Sequence, residues 1–119
     1  MGRVVHFEIT VDDLERAKKF YEIFDWDITN ANMPGADYWL IDTGKEELGI
    51  NGAMMPRTYN PQPTINWISV DDIDEMIDKV KAAGGKTVGE KQSVPNVGYT
   101  VYCSDTEGNT FGLLEPHMT

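Results

Sequence analysis

His6 and Glu8 stand two residues apart in the run Val5-His6-Phe7-Glu8-Ile9. In an extended strand that spacing puts an imidazole and a carboxylate on one face and three apolar side chains on the other. His6 reads as a neutral imidazole, hydrogen-bonded inside a cleft. Glu8 reads either as a pocket carboxylate for a cationic ligand or as a solvated residue near an open sheet edge. Glu115 ends a second apolar run, Thr110 to Glu115. Turned inward, it is placed for general acid or base work, and beside His6 it would form a polar pair in the pocket, which is the favoured expectation. Trp67, Tyr38 and Met54 are candidate lining for a ligand. Trp67 is either an aromatic wall or core volume. Tyr38 and Trp39 face opposite sides of one strand, so only one of them meets a ligand. Met54, with Met55, is a deformable pocket wall or a gap filler. Cys103, in a mid-strand apolar run, is a small hydrophobe rather than a nucleophile. The pairs Asp12-Asp13 and Asp71-Asp72 resemble cation ligands, but each sits where a strand turns into a helix, so they are expected as helix caps. There is no Ser-centred elbow, phosphate-binding glycine loop or heptad run.

The elements that must hold these residues come in two copies. Ile9 to Leu14 reads Ile-Thr-Val-Asp-Asp-Leu and Ile68 to Ile73 reads Ile-Ser-Val-Asp-Asp-Ile, an offset of 59 residues (9 to 68). Tyr38 is matched by Tyr99, and Leu48-Gly49-Ile50 by Phe111-Gly112-Leu113, so the offset drifts to 61 and then 63. Each copy begins with an alternating strand, 3–10 in one and 64–70 in the other. A helical stripe follows, Leu14, Ala17, Phe20, Tyr21 and Phe24 in the first copy and Ile73, Met76, Ile77, Val80 and Ala83 in the second. Gly84-Gly85 ends the second helix. Strands are then expected over 37–42 and 48–55, and over 86–90, 99–104 and 110–115, the last two joined by the turn residues 105–109. The order β-α-β-β-β, twice, predicts one α+β domain: module one over about 1–56, a proline-rich linker over about 56–63, and module two over about 64–117.

Composition sets outer bounds. The 119 residues are 40% hydrophobic and 25% charged, which suits a globular chain with its own core. One cysteine permits no internal disulfide and fits a reducing compartment. Lys and Arg number 10 against 20 Asp and Glu, a net charge of −10, which repels phosphate backbones and favours cations. Nucleic acid is therefore not an expected partner. The start, MGRVVHFEI, has no long apolar core, and no apolar run approaches the roughly 20 residues of a membrane helix. A cytoplasmic protein without a membrane partner is expected.

The runs Val5–Ile9, Val11–Ala17, Phe20-Tyr21, Val70–Asp74, Ala82–Gly85 and Asp105–Pro116, in this order and duplicated, resemble the vicinal oxygen chelate superfamily, which includes glyoxalase I, extradiol dioxygenases, fosfomycin-resistance transferases and bleomycin-binding proteins. The resemblance implies two tandem βαβββ modules around an open barrel-like cleft, a small-molecule ligand or substrate, and a homodimer. It also implies metal ligands on the first and last strands of each module, which carries over to His6 and Glu115. Their repeat counterparts, Ile65 and Gly52, offer no ligating side chain. Glu8 and His117 are possible substitutes, and Asn66 is a poor ligand for zinc or iron. Two main readings follow. One is a metal-free protein that binds or sequesters a small molecule, a cationic one by charge. The other is a metal-dependent lyase or dioxygenase in which His6 and Glu115 hold zinc, nickel, iron or manganese. A third is a metal-free isomerase or lyase with Glu115 as its base.

Overall fold

The computed structural model describes residues 2–45 and 48–117. Contacts divide the chain into two units, His6–Thr64 and Met1–Val5 with Ile65–Thr119. Each repeats the same plan, a helix laid on one face of a small mixed sheet.

In the first unit the strands are β1 (Val4–Val11), β2 (Asp27–Asn30), β3 (Trp39–Asp42) and β4 (Gly52–Pro56), and the helix is α1 (Leu14–Tyr21). The spatial order is β2-β3-β4-β1, with β4 parallel to β1 and the other pairs antiparallel. The helix starts at Asp13, whose extended backbone lets its carboxylate accept from the Arg16 amide at 3.0 Å. It stops after eight residues, passing through a 3-10 turn (Glu22–Phe24) to Asp25 in the left-handed region. The helical stripe therefore breaks one turn earlier than the apolar spacing suggests. Trp26 then folds back and stacks on Tyr21, with ring centroids 5.2 Å apart. Val11, Ile28, Ile41 and Met54 form the core beneath α1, joined by Leu14, Ala17 and Trp39. Phe7, Ile9 and Val11 share this face of β1, so Glu8 and Thr10 necessarily face the other way.

In the second unit the strands are β5 (Thr64–Ser69), β6 (Lys86–Thr87), β7 (Gln92–Val94), β8 (Gly98–Ser104) and β9 (Thr110–Pro116), and the helix is α2 (Ile73–Ala82). The order is β5-β9-β8-β6, with β7 also on β8. Asp72 caps α2 through the Glu75 amide at 3.1 Å, and Gly84, at φ +100°, turns the chain out of the helix. Val70, Ile73, Val101, Cys103 and Leu113 make its core. Asp105 holds the β8–β9 turn by accepting from the Glu107 and Asn109 amides, which keeps its carboxyl below the usual range.

Several strand expectations change. β2 and β7 lie where no strand was expected, the expected strand 37–42 begins at Trp39, and the expected strand 48–55 begins only at Gly52. The expected strand 86–90 shrinks to two residues. The duplication is also in different register from the one the sequence suggests. Met54 and Leu113 occupy the same place in the two cores, so the first and last strands share the offset of 59 (54 to 113), while β3 and β8 are offset by 62 (39 to 101), which matches Tyr38 to Thr100 and not to Tyr99. The apparent match of Leu48-Gly49-Ile50 to Phe111-Gly112-Leu113 pairs a loop with a strand.

Candidate functional site on the polar face of the first unit

The face of the first sheet turned away from α1 carries an unusual concentration of polar groups. Glu8 is only 1% exposed, an expensive place for a carboxylate unless it is hydrogen-bonded. The Tyr38 hydroxyl donates to its Oε2 at 2.7 Å. The same hydroxyl oxygen lies 2.9 Å from His6 Nε2. His6, Tyr38 and Glu8 thus form one continuous chain of hydrogen bonds. Burial holds the His6 imidazole below its ordinary 6.5, and the Glu8 charge opposes that effect without overcoming it. The ring is therefore neutral at pH 7.

Strand register explains this meeting. Trp39 pairs with Met54 and goes to the core, so Tyr38, one residue earlier, points to the opposite face. By the same alternation Leu40 and Asp42 share the face of Tyr38. Asp27 lies directly across from Asp42, and Thr29 across from Leu40. His6, Asp27, Thr29, Leu40, Asp42 and Asn51 line a pocket of about 390 Å³, within the range of small-molecule sites. Asp42 also accepts from the Gly44 amide at 2.9 Å, and Asn51 Oδ1 from the Thr43 amide at 2.9 Å, which fixes both side chains. Like charges directly opposite on a sheet destabilise it, so the Asp27–Asp42 pair favours a cation between its carboxylates.

Of the residues expected from sequence, His6, Glu8 and Tyr38 come together. Met54 does not join them. It is fully buried in the core beneath α1, on the other face of β4, so it is core filling instead of pocket wall. Glu115 is built into the second unit. Its Oε1 accepts from the Ile73 amide at 2.9 Å, so it caps the start of α2 beside Asp72. Within their own units, His6 bonds Tyr38 and Glu115 bonds a helix end. Trp67 is 7% exposed and packs edge-on to Tyr102, with centroids 4.8 Å apart. A Cβ at Gly112 would run into its indole. His117 stacks on Tyr99 at 5.6 Å. Cys103 is fully buried, and burial pushes its thiol up.

Asp27, Thr29, Asp42 and Asn51 escaped the sequence reading. The signal was present: Asp27-Ile28-Thr29 and Leu40-Ile41-Asp42 alternate with a single buried isoleucine at each centre.

A divalent metal does not fit the described side chains of either unit taken by itself. Among the described residues no three His, Cys, Asp or Glu side chains converge as ligands. The Tyr38 hydroxyl stands between His6 Nε2 and the Glu8 carboxylate, and Glu115 Oε1 accepts from a backbone amide. A larger pocket of about 480 Å³ opens beside α1, but Arg57 there is already bound to Asp12 and to the Thr10 carbonyl, and Asp13 to its own helix.

A sequence profile described as the Glyoxalase/Bleomycin resistance protein/Dioxygenase superfamily matches residues 3–113. A Mycobacterium tuberculosis protein named "Putative glyoxylase CFP32" is 32% identical over 97% of this chain, which spans only 44% of that relative. A Vibrio parahaemolyticus protein named "Probable lactoylglutathione lyase" is 30% identical, over 96% of this chain and 91% of its own length. Among solved structures, methylmalonyl-CoA epimerase from Mycobacterium tuberculosis superposes with a TM-score of 0.69 at 17% identity, covering 98% of this chain and 88% of its own. A hypothetical protein from Bacillus halodurans reaches 0.75 at 14% identity, over 99% and 96%. These structures share the fold of two βαβββ modules. No helix among the described residues is long and apolar enough to cross a membrane.

Proposed function

We propose that this chain, which belongs to the Glyoxalase/Bleomycin resistance protein/Dioxygenase superfamily, binds a small cationic molecule on the polar face of its first module without a metal. The observation that carries this reading is the pocket around His6, with two facing carboxylates and no Lys or Arg among the described residues of its lining. His6 is neutral there, so Asp27 and Asp42 set the sign of the local potential, and the net charge of −10 reinforces it at longer range. An ammonium or guanidinium group is the ligand chemistry that two facing carboxylates call for. The superfamily contains metal enzymes, and one relative carries a lyase name, but the donors among the described residues of each unit support no step through a metal. A homodimer and a cytoplasmic location belong to the same reading. The single buried thiol supports the second, and a purely monomeric sizing profile would remove the first.

The test is calorimetry with methylguanidinium and butylammonium as probes, against acetate as the anionic control. Saturable binding of the cations, none of acetate, and a roughly tenfold loss in Asp42→Asn are expected, since a lost charge-assisted contact is worth about 1.5–3 kcal/mol. Equal binding of acetate would overturn the reading.

A further inference from the structure

We infer that Tyr38 and Glu8 are positioning residues that lock His6 as the Nε2–H tautomer, leaving the bare Nδ1 lone pair as a hydrogen-bond acceptor for the ligand. The inference rests on the binding site proposed above and specifies its polarity.

The available protons decide the tautomer. A phenol carries one hydroxyl proton, and the Tyr38 proton is given to Glu8 Oε2 at 2.7 Å. Toward His6 Nε2, 2.9 Å away, the Tyr38 oxygen then has only lone pairs to offer. That contact is a hydrogen bond only if Nε2 carries the proton and donates it. A neutral imidazole has a single N–H, so Nδ1 is unprotonated. The carboxylate acts on the ring through the phenol, just as a partner on one ring nitrogen decides the state of the other in metal-bound and catalytic histidines. Glu8 is well placed to do so because it is almost fully buried and its Tyr38 contact is short.

The second module supplies an internal control. At the places of His6, Glu8 and Tyr38 it carries Ile65, Trp67 and Thr100. The first two follow from the offset of 59 (6 to 65, 8 to 67). The third follows from register, since Trp39 faces Met54 as Val101 faces Leu113. All three members of the chain are absent together from the copy whose sheet face is filled by an indole.

A site built from a lone pair on Nδ1 and two carboxylates accepts hydrogen bonds from its ligand. It therefore selects N–H or O–H donors and rejects ligands that offer only acceptors. The groups facing His6 within its unit are Glu8, Tyr38 and, across the pocket, Asp27 and Asp42.

The experiment is nitrogen NMR of the His6 ring in uniformly ¹⁵N-labelled protein at pH 7.5, in the native chain, in Tyr38→Phe, in Glu8→Gln and in Glu115→Gln, before and after saturation with methylguanidinium. The expected native result is a protonated Nε2 and an unprotonated Nδ1, with Nδ1 moving on addition of the probe. Tyr38→Phe should convert this to a mixture of tautomers and weaken the probe severalfold. Glu8→Gln offers Tyr38 an amide N–H as readily as a carbonyl, so it should also admit the second tautomer, whereas Glu115→Gln, outside this chain of hydrogen bonds, should keep the native tautomer and serves as the control for folding. A dominant Nδ1–H tautomer or an imidazolium in the native chain overturns the lock. A locked tautomer whose Nδ1 ignores the probe upholds the lock and overturns the binding reading instead.

Discussion

The two modules use one design for opposite ends. Both cap a helix with an aspartate at the strand–helix turn, Asp13 and Asp72, and both bury a hydrophobic residue of the last strand beneath it, Met54 and Leu113. On the face away from the helix they diverge. Module one places His6, Glu8 and Tyr38 there, over the small Ala53. Module two places Ile65 and Trp67 there, over Gly112, whose missing side chain makes room for the indole. The difference lies in one set of alternating positions, because the other set is bound to the core in both copies. A duplicated sheet can therefore keep its fold while its two copies carry different chemistry on the face away from the helix.

Substitutions can break this contrast. The largest effect is expected at Gly112→Ala, where the new methyl meets the Trp67 ring and costs about 1–3 kcal/mol of overpacking. The matched change in module one, Ala53→Gly, costs only about 1 kcal/mol by loosening the strand. Urea unfolding of the two variants reads the difference directly. Next comes Asp27→Asn, expected to weaken methylguanidinium severalfold with no change in the unfolding midpoint, since Asp27 is exposed. Calorimetry and denaturation together check it. Glu115→Gln should lower stability by about 1 kcal/mol through the start of α2 and leave probe affinity unchanged. A loss of binding there would restore Glu115 to the site.

The smallest effect is in acid. The His6 pKa is lower in the folded protein than its ordinary 6.5, so below that value the unfolded chain takes up a proton that the native ring resists. This contribution to stability is complete above pH 6.5 and is lost as the pH falls through the folded value. His6→Gln should flatten that part of the stability profile, as measured by thermal unfolding across pH.

Much of the fold was legible because its signals are local. The repeated Val-Asp-Asp segments marked two strand–helix turns, and the apolar stripes gave both helices. β2 was missed because Asp27–Asn30 has only four residues and one buried side chain, too little for a pattern to stand out. The drift in register was a false match, in which Gly49, at φ +151° in a loop, was paired with Gly112 in a strand. The site was half legible. Alternation alone put His6 with Glu8, and the opposition of Tyr38 to Trp39 offered the right choice. Which carboxylate met His6 was not legible, because the Glu115 bond to the Ile73 amide depends on tertiary packing of β9 against the start of α2. Likewise Met54 and Ala53 are adjacent, and only strand register decides which of them reaches the core.

The most direct measurement is an amide ¹H–¹⁵N titration of the intact chain with methylguanidinium, followed residue by residue. Shifts confined to His6, Asp27, Asp42, Asn51 and their neighbours, saturating together and absent with acetate, are the expected result. Saturating shifts centred on Trp67, Tyr102 and Gly112 instead would place the ligand on the indole-filled module, and would contradict the division of labour between the two copies.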